Sequence, residues 1–258
     1  MEDDGKRVKS TMLTSFMGAA VCVFLARRGV RSIASRRFFD SNFTFRSQNP
    51  LTAFSYPLNH SGWRHLGLNM AMVGILGNQL VQIPEVAPKQ LAWVMAGSAL
   101  GTALAESATP LVGASGVVFG MLGALTVLDP QKTWLMIFPL PGVPLTTMQL
   151  GQACLVSHLG LLAWRRVTRI AIRGHIGGLL SGGLLAACMW PDKGSVFQEM
   201  LLESQSSWRQ SLTSAGLVLN WLTLTVELSL LSFFLSETQR GELRSKQRFI
   251  RRTWESEL

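Results

Sequence analysis

The chain has 258 residues, of which 48% are apolar, 24 are glycine and only 15% are charged, where soluble domains average roughly 25% charged. Disorder, a coiled coil and nucleic-acid binding through a charged surface are all disfavoured. The net charge of +9 comes from basic residues set between long uncharged segments, so the lipid bilayer surface is the partner it suits, and no nucleic acid is expected.

A bilayer core of roughly 30 Å takes about 17–25 mostly apolar residues in a helix. Seven segments meet that need: 10–26, 66–83, 90–108, 112–128, 145–164, 170–190 and 211–236. The first is no cleavable signal peptide, because Arg27, Arg28, Arg31, Arg36 and Arg37 follow it in place of a small-residue cleavage site. The start, Met1-Glu2-Asp3-Asp4, is too acidic for a typical mitochondrial presequence. Within the seven segments only Glu106, Arg173 and Glu227 are charged. Prolines 139, 141 and 144 make 139–144 a kinked connection. No internal repeat supports an inverted-repeat transporter. Seven crossings put seven basic residues on the N-terminal side and seventeen on the other. The positive-inside rule then places the 27–65 loop and the tail on the cytosolic or matrix side. The six basic residues of 240–252 suit anionic headgroups or a simple stop-transfer signal.

Polar side chains inside such segments are scarce and therefore informative. His60-Ser61-Gly62-Trp63-Arg64-His65-Leu66-Gly67-Leu68-Asn69 leads into the second span. His65 and Asn69 are four apart and share a helix face, where two donors suit an oxyanion. The same residues also fit an ordinary interfacial helix start. Gly113-Ala114-Ser115-Gly116, with Gly120 and Gly123 beyond, opens the fourth span. Its serine suits helix packing, or a nucleophile that glycines leave open to a peptide. It is not the G-x-S-x-G elbow of soluble hydrolases, since Val117 holds the fifth position. Gly174, Gly178 and Gly182 form a smooth stripe on the sixth span, bordered by His175, and Gly116 and Gly120 form another on the fourth. Where such stripes meet, imidazole and hydroxyl come within hydrogen-bond reach; apart from that, His175 reads as a packing residue or proton relay. No acid lies in these spans to orient His175, so the chemistry would run on a Ser–His dyad. No metal or cofactor is expected: H-E-x-x-H and paired intramembrane aspartates are absent. Cys22, Cys154 and Cys188 stand far apart with no CxxC pair.

In this order on successive hydrophobic helices, H-x-x-x-x-H-x-x-x-N, G-x-S-G and G-H-x-x-G-x-x-x-G resemble the rhomboid family of intramembrane serine proteases, over about 51–190. The resemblance implies an all-α integral membrane protein, a rhomboid-like six-helix core plus one C-terminal transmembrane helix. The division would be 1–50 for the N-terminal segment with the first span and basic loop, 51–190 for the catalytic core, and 191–258 for a linker, a seventh span and a basic tail. It implies Ser115 as nucleophile, His175 as general base, and His65, Asn69 and the Ser115 N–H as the oxyanion hole. His60, Gly113, Gly116, Phe119 and Gly178 would support the site. Substrates would be single-pass transmembrane proteins, admitted between the second and fifth spans. Phe119 departs from the tyrosine common in the family, Leu51 and Thr52 replace a Trp-Arg pair, and His158 stands about where mitochondrial members often have an aspartate. Pro130–Pro141, with Ile137-Phe138-Pro139, is similar to the mitochondrial subgroup and implies an organelle inner membrane. Two other readings stay open: a rhomboid-fold pseudoprotease that binds membrane clients, and a transporter using His158, His175 and Glu227 as a proton relay.

Overall fold

The computed structural model describes residues 2–30, 32–107, 109–135, 142–163 and 171–195, which are mostly helical. Helix α1 spans Glu2–Gly29, longer at both ends than the apolar run that marks it, and α2 spans Ile33–Phe43. Ser32 starts α2 by accepting the Ser35 N–H at 3.1 Å. Two 3₁₀ turns, Pro50–Phe54 and Tyr56–Leu58, precede α3 (Trp63–Gln82) and α4 (Pro88–Ala105). Pro88 at the first turn of α4 needs no partner for a donor it lacks. Then come α5 (Ser115–Leu128), strands β1 (Thr133–Leu135) and β2 (Pro144–Thr146), α6 (Thr147–Ala163) and α7 (Ile172–Met189). The described residues are mostly helical, as the all-α expectation has it, and add one short hairpin, which pairs Thr133 with Thr146, Trp134 with Leu145 and Leu135 with Pro144. Pro144 opens its strand, a position where the missing N–H is tolerated. The expected seventh span 211–236, Glu227 and the basic tail lie outside the described residues, as does the 139–141 part of the proline-rich connection.

α1 and α3 run antiparallel. At one end Lys9, buried, donates from Nζ to the carbonyl of Ile83, the C-cap of α3, at 3.0 Å. A cation there satisfies an orphan carbonyl and complements the helix dipole. At the other end the Phe24 and Trp63 rings meet edge-on at 4.6 Å. Arg28 lies over both rings, 5.6 and 5.8 Å from their centroids.

α5 is the central rod, buried from Gly116 through Leu128 except at Phe119, and it touches α3, α4, α6 and α7. Its contact with α7 is lined by glycines from both helices. A Cβ added at Gly178 would strike the Gly116 carbonyl, one at Gly182 the Gly120 carbonyl, and one at Gly123 the Leu179 carbonyl. The stripes of α5 and α7 therefore meet backbone to backbone. On the other side of α7, a Cβ at Gly177 would sit 2.5 Å from the Gly101 carbonyl of α4.

Among the described residues two helices are long and apolar enough to cross a membrane, Asp4–Gly29 and Ile172–Met189; Ser115–Leu128 is apolar but shorter. The other expected spans within the described residues, 66–83, 90–108 and 145–164, are helices too, though less apolar. α3 carries His65, Asn69, Asn78, Gln79 and Gln82, α4 is diluted by Gly, Ala, Ser98 and Thr102, and α6 holds Gln149, Gln152 and His158.

Candidate active site

The approach to Ser115 is set by the first loop. Phe45 and Leu111 exchange backbone hydrogen bonds at 3.0 and 3.1 Å. The Gly113 N–H donates to the Tyr56 carbonyl at 3.2 Å, and the Tyr56 hydroxyl, buried, donates to the Ala99 carbonyl of α4 at 3.1 Å. Burial pushes the Tyr56 phenol well above its ordinary pKa, so it stays a donor. Gly113 has φ +107°, a conformation other residues rarely adopt, and a Cβ there would lie 2.5 Å from His65 Cε1. These contacts turn the chain sharply into α5, whose first residue is Ser115. The N–H groups of Ser115, Gly116 and Val117 open the helix, where backbone donors have no intrahelical acceptor.

Ser115 Oγ and His175 Nε2 lie 2.9 Å apart, from α5 and α7 respectively. Their separation in sequence is closed by the glycine contact: Gly116 follows the serine, Gly178 stands one turn after the histidine, and the two backbones touch there. Phe119, one turn beyond Ser115, stacks on the His175 ring with centroids 4.5 Å apart and planes 16° apart. Without a hydroxyl it still fixes the plane of the imidazole.

His65 and Asn69 stand one turn apart on α3 and have different partners. His65 Nδ1 lies 3.0 Å from Ser61 Oγ, while its Cε1–Nε2 edge lies over Gly113. The buried Asn69 amide donates to the His65 carbonyl at 2.8 Å. An amide carries two N–H donors, so this bond engages one of them. His60 is buried beneath the serine loop: Nε2 accepts the Ala114 N–H at 3.3 Å, and Nδ1 lies 3.4 Å from the Leu58 carbonyl. Its ring meets that of His65 edge-on at 5.1 Å.

Burial first, and then the neighbouring His65, lower the His60 pKa from 6.5 to about 4, against the Leu58 carbonyl. Protonation would also set an Nε2–H against the Ala114 N–H. A lowered folded-state pKa means the unfolded chain takes up the proton first. Stability is therefore full above about pH 6.5 and falls as pH drops toward about 4. The loss is on the order of 3 kcal/mol at about 1.4 kcal/mol per pKa unit. The unfolding midpoint in detergent is expected to fall through that window, and His60→Gln to flatten the fall. A wild-type midpoint constant from pH 7 to 4 would contradict this.

Sequence reasoning missed one member of the cluster. His158 of α6 places Nε2 3.1 Å from His175 Nδ1 and packs edge-on against Phe119 at 4.8 Å. In sequence it is a histidine in an apolar helix, about where mitochondrial members of the resembled family often have an aspartate, and the one role it suggested was in a proton relay. Among the described residues no group of His, Cys, Asp and Glu could hold a metal ion.

No curated protein shows a significant match to the chain. A family model described as Rhomboid domain matches residues 47–192, more than half of the chain. That segment runs from the first loop through α7 and holds every side chain just described around Ser115. Family members are in general intramembrane serine proteases, and the domain together with two membrane-length apolar helices marks a membrane protein. The chain belongs to the rhomboid family.

Proposed function

We propose that the protein is a serine endopeptidase that cuts peptide bonds in or near the transmembrane segments of single-pass substrates, using Ser115 and His175. The observation that carries this reading is the 2.9 Å contact between Ser115 Oγ and His175 Nε2 inside an apolar helical core. A serine serving only as packing glue has no need of an imidazole at hydrogen-bond distance. In this reading the helices α1 and α3–α7 form a six-helix core in the bilayer, with 211–236 as a seventh span. The outward apolar side chains of the core support it: Leu68, Met72 and Ile75 on α3, and Leu100 and Leu104 on α4, are exposed at helical spacing.

A substrate helix must unwind before attack, because its carbonyls are already hydrogen-bonded and shielded. Ser115 Oγ then attacks the scissile carbonyl carbon and His175 Nε2 takes its proton. The developing oxyanion is held by the Ser115 N–H, His65 and Asn69, donors worth on the order of 3 kcal/mol each. The protonated His175 delivers the proton to the leaving amine. Water, deprotonated by the same imidazole, hydrolyses the acyl-enzyme and restores the serine.

The test is reconstitution in proteoliposomes with a single-pass reporter whose membrane segment carries helix-destabilising glycine and proline. Wild type is expected to cut it, and Ser115→Ala not. Folded wild type that binds the reporter and leaves it whole would support the client-binding pseudoprotease instead. Transport survives as a reading only with pH-driven uptake that persists in Ser115→Ala.

A further inference from the structure

We infer that His158 is a positioning residue for His175, so that the serine is activated by a relay of two histidines. The inference rests on the proposed serine-protease reading and extends it by one group.

The proton positions follow from a single fixed acceptor. His158 Nδ1 lies 2.7 Å from the Cys154 carbonyl, one turn back on the same helix. A carbonyl only accepts, so Nδ1 of His158 carries the hydrogen. In a neutral imidazole the other nitrogen is then a bare acceptor. That nitrogen, Nε2, lies 3.1 Å from His175 Nδ1, which must donate to it. His175 Nε2 is left unprotonated and faces Ser115 Oγ at 2.9 Å, the state a general base requires. One backbone carbonyl thus sets the tautomer of both rings. The alternative tautomer of His175 would point an N–H at the serine and leave it unable to take the proton.

The packing holds this line of atoms in place. Gly151, Cys154 and His158 lie on one face of α6 by their spacing. A Cβ at Gly151 would strike the Thr126 side chain of α5, so the face is pressed against the serine helix. The N-terminus of α6 is anchored by Thr147, whose hydroxyl accepts the Trp134 indole N–H at 2.8 Å and donates to the Lys132 carbonyl at 3.2 Å. Phe119 stacks on His175 and meets His158 edge-on, 74° between planes. Stacking fixes the plane of the His175 ring, and the bond to His158 fixes its rotation within that plane.

A neutral imidazole orients without supplying a negative charge. When His175 takes the serine proton, His158 Nε2 accepts a stronger hydrogen bond from the resulting imidazolium. The proton remains on His175, ready for the leaving group. The expected contribution is therefore smaller than that of a carboxylate in the same role, where a tautomer-disrupting change costs about 10⁴-fold.

The test uses the full-length protein and a fluorophosphonate. Ser115 Oγ forms a bond to phosphorus, fluoride leaves, and His175 takes the proton, with no substrate needed. The labelling rate is compared in wild type, His158→Phe, His158→Gln and Ser115→Ala, with the unfolding midpoint of each. Phenylalanine keeps the ring and removes the acceptor; glutamine keeps an acceptor oxygen. His158→Phe is expected to label roughly 10- to 1,000-fold more slowly than wild type, and His158→Gln within about tenfold of wild type, at similar midpoints. Equal labelling of wild type and His158→Phe would overturn the relay while leaving the Ser115–His175 pair intact. So would an equal slowing in His158→Phe and His158→Gln, because ring packing and not the acceptor would then govern the rate. Labelling of Ser115→Ala at the wild-type rate, or none in folded wild type, would overturn the serine-protease reading itself.

Discussion

Ser115→Ala and His175→Ala are each expected to lower reporter cleavage by roughly 10⁴-fold or more, and the double variant by no more than either alone. The non-additivity matters more than the size. A nucleophile without its base keeps its proton, and a base without its nucleophile has nothing to deprotonate, so the first loss already removes the step. The 2.9 Å contact is between two partly buried side chains, and neither removal leaves a buried charge, so folding should survive both changes. His65→Ala and Asn69→Ala should cost less, about 10²- to 10³-fold each, since in the proposed mechanism each removes one of several oxyanion donors. Losses from Ser115→Ala and His175→Ala that multiply in the double variant would mean that the two side chains act independently.

The second large effect is structural. Gly182→Ala and Gly178→Ala are each expected to lower stability by about 1–3 kcal/mol, the usual cost of overpacking. The added carbon meets the backbone carbonyl of Gly120 or Gly116. Backbone inside a central helix has no rotamer by which to move aside, so α5 and α7 must separate. At Gly178 the separation lies one turn from His175, and cleavage should fall together with the unfolding midpoint. Gly67→Ala supplies the contrast. Gly67 lies in α3, and a Cβ there meets nothing within 4 Å, so alanine should be neutral or gain up to about 1 kcal/mol of helix propensity. A cost at Gly67 equal to that at Gly182 would refute the close backbone contact.

The parts of the site that sequence revealed are those where chemistry contradicts its surroundings. A serine between glycines, and histidines inside apolar runs, are conspicuous because such groups are costly there. The glycine stripes were legible for the same reason, since four-residue spacing on a helix has an immediate steric meaning. The contact between His158 and His175 was not, because they stand on different helices and no periodicity links them. Likewise Lys9 counted as a surface charge, although it caps α3 at Ile83. In the first loop, α2 and the 3₁₀ turns lack a long apolar repeat; local capping and docking against Leu111, Ala99 and Ala114 form them. The fourth span was expected from residue 112, yet the helix begins at Ser115. The positive φ of Gly113, which no hydropathy pattern encodes, delays its start.

The central claim is that an imidazole on α7 activates a hydroxyl on α5. Its most direct test is to map the fluorophosphonate adduct by mass spectrometry in wild type and in His175→Ala. The account requires the adduct on the peptide containing Ser115 in wild type, and its loss in His175→Ala. An adduct on another residue, or one on Ser115 that forms equally fast without His175, would contradict it.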